Sequence, residues 1–290
     1  MKKLSIVYAT RNEENNIERS LMSIKDIADE IIIFDEHSTD KTTIIAKKYG
    51  ARVYDTNHED VFHITKQKAI DKAEGSWILQ LDADEVVTPA LAAEIQSILS
   101  MNNSEIINRK PLNNNDERLF KRHLELLQSR GEFHNDNSNE IVAFFVPRIN
   151  MFLGKPLIHG GVYPDGVVRL IKNGKARLPA KSVHEQMIVD GQVSWLFNPL
   201  EHWDSPTVFR YLSRLNRYTD LHAEELSTAH ITNSTSQLLQ YSLIKPLQTF
   251  VERYIIHRGY KDGLYGFVWA FFSAWHFPIS YFKFATNKHT

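Results

Sequence analysis

The 290-residue chain contains no cysteine, which removes any disulfide framework and any thiolate metal site. It also has no Gly-x-Gly-x-x-Gly and no Gly-x-x-x-x-Gly-Lys-Ser/Thr sequence. A dinucleotide dehydrogenase and a P-loop nucleotidase are therefore disfavoured. Charge of neither sign dominates: 34 Lys and Arg stand against 35 Asp and Glu, a net of −1. That balance supplies no global basic field of the kind that attracts nucleic acid. Residues 1–8 carry two lysines, but their apolar run is short and meets Arg11-Asn12-Glu13-Glu14 instead of a small-residue cleavage site. They read as a first strand, and a cytoplasmic location is expected.

What is present begins with an alternation. Residues 4–9, 30–34, 51–54 and 77–81 are apolar runs of strand length. Between and after them, 15–23, 40–49, 65–74 and 89–99 carry helical periodicity, with Gly50 and Gly75 as stops and Pro89 near a start. Such an order predicts an α/β fold with a mostly parallel central sheet flanked by helices. Ligands of such sheets bind outside the carboxyl ends of the strands.

Polar residues gather at three of those ends. After the first strand come Thr10, Arg11, Asn12 and Glu14; after the second, Asp35, Glu36, His37, Ser38, Thr39 and Asp40. After Trp77-Ile78-Leu79-Gln80-Leu81 come Asp82, Ala83, Asp84 and Glu85. Ser38-Thr39-Asp40 also suits a helix cap, and Asp-x-Asp by itself is often a solvated turn. Convergence at three strand exits, however, has no explanation in core packing. Two carboxylates one residue apart can share a hard divalent cation. Without a glycine-rich cradle, a diphosphate needs such a cation for neutralisation.

Taken together, residues 4–100 resemble the nucleotide-sugar half of family 2 glycosyltransferases of the GT-A fold. The matching pieces are Ser5-Ile6-Val7 with Arg11-Asn12-Glu13-Glu14, Ile31-Ile32-Ile33-Phe34-Asp35 with Ser38-Thr39-Asp40, Ala46-Lys47-Lys48-Tyr49-Gly50, and Gly75 through Glu85. The resemblance implies that Ala9, Thr10, Asn12, Glu14 and Asp35 hold the nucleobase and ribose. Lys66 and Ala83 complete the expected donor contacts. It assigns Asp82 to the ribose or the metal shell, and Asp84 to Mg²⁺ or Mn²⁺. Glu36-His37 and Gln67 depart from the family pattern, which leaves the choice between UDP and another nucleotide open.

Residues 101–140 form a polar, Asn-rich insertion, expected as a mobile loop or lid, with helical periodicity at 116–128. Residues 141–205 are expected to be the acceptor-side half, and 206–290 a helical C-terminal region. Inverting transfer needs a carboxylate, separate from the metal pair, to take the acceptor proton. Asp165 and Glu185 are the two candidates. In the family an aromatic residue shortly precedes the catalytic Asp, as in Tyr163-Pro164-Asp165, and a later His, here His184, completes the metal shell. Glu185 competes because it adjoins His184. Arg169 suits an ion pair or a phosphate contact, while His159 and His202 suit ordinary strand or loop edges.

A narrower resemblance runs through Val146-Pro147-Arg148, Phe152-Leu153-Gly154-Lys155, Arg169-Leu170, Val183-His184-Glu185 and Arg258-Gly259-Tyr260-Lys261-Asp262-Gly263. It is to a bacterial branch that includes lipopolysaccharide inner-core β-1,4-glucosyltransferases. This implies transfer of a hexose from a UDP-sugar to a lipopolysaccharide-core, glycolipid or other glycan acceptor. The uncharged aromatic stretch 264–277 suits either a docked helix or peripheral contact with the inner face of the cytoplasmic membrane. Arg253, Arg258, Lys261 and Lys283 are available there for anionic lipid. The rival readings are a catalytically silent nucleotide-sugar-binding or membrane-scaffold protein, and a nucleotidyltransferase on a similar sheet. The latter is expected to carry a glycine-rich phosphate loop.

Overall fold

A computed structural model describes residues 2–111, 114–129, 140–179, 187–229 and 231–286. The chain divides into two compact units, Met1–Arg148 with Pro164–His202, and Ile149–Tyr163 with Trp203–Thr290. The strands in chain order are β1 (Leu4–Thr10), β2 (Glu30–Asp35), β3 (Arg52–Asp55), β4 (Trp77–Leu81), β5 (Glu85–Val87) and β6 (Ile141–Phe152). They continue with β7 (Lys155–Leu157), β8 (Asp165–Lys172), β9 (Ala176–Arg177), β10 (Ile188–Val189), β11 (Gln192–Trp195) and β12 (Leu200–Ser205).

The first unit is built on a mixed, mostly parallel sheet in the order β3-β2-β1-β4-β8-β6-β12-β5. The four N-terminal strands run parallel, and β8 runs antiparallel to both β4 and β6. Both faces are covered, so the central strands are mostly apolar and show no regular alternation with polar residues. Ile6, Tyr8, Ile33, Leu79 and Phe144 face one core, while Val7, Ile32, Ile78, Phe145 and Ile171 face the other.

Helices α1 (Ile17–Ile24), α2 (Thr42–Lys48), α3 (Phe62–Asp71), α4 (Pro89–Ile98), α5 (Asn103–Ile107) and α6 (Asn114–Ser129) complete this unit. Ile17, Leu21 and Ile24 of α1 join the first core, as do Leu91, Ile95 and Ile98 of α4. Thr88 caps α4 by accepting a hydrogen bond from the Leu91 amide, with Pro89 at the first helical position. Ala69 and Ile70 of α3 join the second core. Within the Asn-rich stretch, α6 buries Phe120 and Leu127 in that same core. The Phe120 ring stacks on Trp195 with centroids 4.3 Å apart.

In the second unit, β7 pairs with the Asn150–Phe152 end of β6. Helix α7 (Val208–Thr228) follows, then a continuous helical run made of α8 (Thr235–Leu239), a π turn (Gln240–Ile244), α9 (Lys245–Phe250) and a second π turn (Val251–Ile256). A 3₁₀ turn (Gly259–Asp262) leads into α10 (Gly263–Thr286). Phe152, Tyr211 and Trp269 anchor one small core of this unit, and Tyr241, Tyr281 and Phe284 anchor another. Among the described residues, no helix is long and apolar enough to cross a membrane.

Candidate active site

The first site layer lies at the exits of β1 and β2. Register pairs Thr10 with Asp35, and the Thr10 hydroxyl donates to Asp35 Oδ1 at 2.7 Å. Ser38 donates to the same carboxylate twice, through its amide and its hydroxyl, each at 2.7 Å. The Asn12 amide donates to Ser38 Oγ at 2.8 Å, and the Thr39 amide donates back to Asn12 Oδ1 at 2.8 Å. Asn12 and His37 both take positive φ, 56° and 50°, which fits tight loops where short polar side chains satisfy local backbone groups. Glu14 and Asp40 complete the link, Glu14 accepting from the Lys41 amide and Asp40 from the Glu14 amide, both at 3.0 Å. Asp35 is thus the fixed centre of two interlocked loops. Asp40 also accepts from the Thr42 amide at 2.9 Å, but the residue at the N-cap of α2 is Lys41, with no side-chain cap.

Glu36, directly after Asp35, is buried. It accepts from the Thr65 hydroxyl at 2.5 Å and pairs with His58 at 2.6 Å. Helix α3 begins at Phe62, three residues before the sequence expectation, so Thr65 lies inside it and reaches this carboxylate.

The second layer centres on the exit of β4. Arg169 enters because β8 pairs antiparallel with β4, Leu79 opposite Leu170. Its guanidinium donates to Gln80 Oε1, to Asp82 Oδ2 at 2.6 Å and to Glu85 Oε1 at 2.7 Å. Lys66 of α3 meets the other oxygen of Asp82 at 2.5 Å. Burial pushes the Asp82 carboxyl upward, but Arg169 and Lys66 outweigh it and hold it well below the usual carboxylate range. Burial works against charge on Arg169 too, and Asp82 and Glu85 outweigh it, so its pKa rises. Glu85 is fully buried and also meets Arg148 at 3.2 Å. Three cations, Arg169, Lys66 and Arg148, offset the carboxylates Asp82 and Glu85 here, as buried charge requires.

Asp84 is approached by a residue of the last strand. Strand β5 pairs antiparallel with β12, setting Glu85 opposite His202, and His202 Nε2 lies 3.6 Å from Asp84 Oδ2. Burial lowers the His202 pKa, but the Asp84 contact prevails and raises it above the ordinary histidine value. Sequence reading had placed His202 at an ordinary edge; only the pairing of β12 with β5 brings it to the acidic motif. Asp165, the first residue of β8, sits opposite Arg148 on β6 and pairs with it at 2.7 Å. His184 and Glu185 lie outside the described residues.

A carboxylate oxygen and an imidazole nitrogen suit a hard or borderline divalent ion such as Mg²⁺ or Mn²⁺. Neighbouring ligands on an octahedral ion with bonds near 2.1 Å stand roughly 3 Å apart. The Asp84–His202 separation therefore fits such an ion after a small adjustment.

The layered α/β sheet thus gathers the interlocked loops around Asp35 and the acidic exit of β4 at the carboxyl ends of its parallel strands. Residues 5–160 match the family described as Glycosyl transferase family 2, and the chain belongs to that family. An uncharacterized glycosyltransferase of Rickettsia bellii is 40% identical over 106 residues, covering 36% of this chain and 35% of its own. A TPR repeat-containing protein of Synechococcus elongatus is 38% identical over 99 residues, 34% of this chain and 25% of its own. These matches span about a third or less of the relatives' length. Among solved structures, S. aureus TarS 1-349 matches at TM-score 0.40 and 14% identity, covering 97% of this chain and 91% of that one. Glucosyl-3-phosphoglycerate synthase from Mycobacterium tuberculosis, solved with Mn²⁺, UDP and glucosyl-3-phosphoglycerate, matches at 0.41 and 18%, covering 80% and 82%.

Proposed function

We propose that the chain is a metal-assisted inverting glycosyltransferase that moves a hexose from a UDP-sugar to a lipopolysaccharide-core or other glycolipid or glycan acceptor. The observation that carries this reading is the separation of roles at the exit of β4: Asp82 is held by two cations, while the neighbouring Asp84 is set beside His202. In this reading Ala9, Thr10, Asn12, Glu14 and Asp35 form the nucleoside seat, with Asp35 oriented by Thr10 and Ser38. Asp82, fixed by Arg169 and Lys66, faces the ribose or the metal shell. Asp84 and His202 hold the cation, with His184 as the third ligand.

A divalent Mg²⁺ or Mn²⁺ held there would supply Lewis-acid stabilisation of the departing diphosphate. Lys66 adds a positive charge beside Asp82, and Ala83 keeps the turn between the two aspartates free of bulk. The acceptor oxygen attacks the anomeric carbon, the bond to the diphosphate oxygen breaks, and the acceptor proton passes to a carboxylate. Asp165 is the preferred base, oriented by Arg148, with Glu185 as the alternative. Peripheral membrane contact through the C-terminal aromatic stretch suits a lipid-linked acceptor.

The test is turnover of UDP-sugars with isolated core oligosaccharides by wild type, Asp165→Asn and Glu185→Gln. The reading expects one of the two variants to lose at least about a hundredfold in kcat with donor binding intact. Near-normal turnover in Asp165→Asn transfers the base role to Glu185; near-normal turnover in both removes the mechanism.

A further inference from the structure

The two closing helical runs of the second unit share one exposed apolar surface. On residues 235–256, Leu239, Leu243, Leu247, Val251 and Ile255 recur every four residues, each at least 39% exposed. Such a row drifts around a regular α-helix, but the π turns at Gln240–Ile244 and Val251–Ile256 add residues to each turn and hold it to one side. On α10, Leu264, Phe267, Phe271, Trp275 and Phe282 follow helical spacing and are also exposed. The two rows meet at a cleft of about 390 Å³ lined by Leu243, Leu247, Phe250, Phe271, Trp275 and Phe282. A patch of this extent on a folded protein marks an interaction surface.

Charge identifies the occupant. Residues 235–286 carry Lys245, Arg253, Arg258, Lys261 and Lys283 against Glu252 and Asp262. Five minus two leaves +3, and the pairing of Lys283 with Asp220 of α7 at 2.6 Å reduces this to +2, in a chain whose net charge is −1. Arg258 and Lys261 are exposed at the turn joining the two runs, on either side of Tyr260, which is 49% exposed. Cations and a tyrosine beside an apolar face are the residue types of a membrane–water interface. A two-fold pairing of this surface with a second copy would set the same cationic turn and rims into one interface, whereas anionic lipid complements them. Neither run is long and apolar enough to cross a bilayer, so an in-plane placement is required.

We propose that this surface seats an anionic phospholipid bilayer. Both helical runs lie in the interface plane, their apolar rows reach the acyl boundary and the cleft takes an acyl chain. Arg258 and Lys261 sit among the phosphates. The inference rests on the peripheral-membrane part of the functional reading and extends it from the aromatic stretch to a two-helix site. It does not depend on the donor chemistry.

The experiment is co-sedimentation of the full chain with phosphatidylglycerol–phosphatidylcholine vesicles and with phosphatidylcholine alone. Wild type is expected to bind the anionic vesicles more strongly, and less so as salt is raised. Leu247→Glu combined with Leu264→Glu should lower the partition by about tenfold or more. Arg258→Glu with Lys261→Glu should erase the preference for anionic vesicles. All four positions are exposed, and an unchanged thermal shift with Mn²⁺ and UDP reports an intact fold. Equal sedimentation of wild type and the leucine variant overturns the proposal, as does absence of binding to either vesicle. Self-association lost in the leucine variant, without vesicle binding, overturns it in favour of a second copy. Vesicle binding without any Mn²⁺–UDP shift in wild type leaves this inference standing and removes the donor reading.

Discussion

Arg169 of β8 holds together residues drawn from β4, the turn beyond it and β5. It ties Gln80, Asp82 and Glu85 to one guanidinium, so removing its charge leaves two carboxylates in a poorly solvated place. Arg169→Met should destabilise the chain by about 3 kcal/mol or more, read from the urea midpoint. The sequence made Asp82, Asp84 and Asp35 visible because strand exits are readable from apolar runs ending in acid. It did not disclose His202, whose approach to Asp84 depends on the β12–β5 pairing, nor which carboxylate Arg169 would choose. A second group responds to pH. Glu30 is buried against Lys2, Ser5 and the Glu74 amide. Burial pushes its pKa up, yet Lys2 and Ser5 prevail and hold it at about 2, below the ordinary 4.5. Its folded pKa is depressed, so its contribution is present above pH 4.5 and is lost as pH falls through about 2. Glu30→Gln should flatten the acid limb of stability, removing about 2 kcal/mol of the difference between neutral and strongly acidic conditions.

At the scale of elements, the chain's helices were legible where apolar residues repeat and caps are explicit, as in α4 with Thr88 and Pro89. They were less legible where tertiary contacts decide. Helix α3 begins at Phe62, earlier than its periodicity indicated, and α6 is a core helix because Phe120 finds Trp195. The two π turns in residues 235–256 have no composition signal at all. Packing of α7 on α10 includes His222 and His276, whose ring nitrogens approach to 3.1 Å. Burial first, and His222 next, bring His276 down to about 4. A histidine held neutral in the fold contributes stability fully above its ordinary 6.5 and loses it as pH falls toward about 4. Lowering pH from 7 to 5 should weaken this packing by about 1 to 2 kcal/mol, and His276→Gln should remove that dependence in urea titrations at the two pH values. The turn before α10 has its own constraint. A Cβ on Gly266 would lie 1.9 Å from the Gly259 carbonyl oxygen. Gly266→Ala should therefore open the turn and lower the melting temperature by several degrees, roughly what 1–3 kcal/mol of overpacking produces.

For the whole molecule, the α/β architecture followed from alternation of runs in the first hundred residues. The return of β8, β6, β12 and β5 into the same sheet did not, since antiparallel insertion is set by long-range pairing. That insertion carries Arg148, Asp165, Arg169 and His202 to the exit of β4. The opening carboxylates thus acquire different surroundings, Asp82 neutralised by Arg169 and Lys66, Asp84 beside His202. In the proposed mechanism, Asp84 would hold a divalent cation that serves a nucleoside diphosphate. Thermal unfolding of wild type and Asp84→Ala, with UDP in large excess, with and without Mn²⁺, measures this directly. A Mn²⁺-dependent rise of about 5 °C in wild type that vanishes in Asp84→Ala is the predicted result. An equal rise in the variant, or a rise in wild type that ignores Mn²⁺, would contradict it.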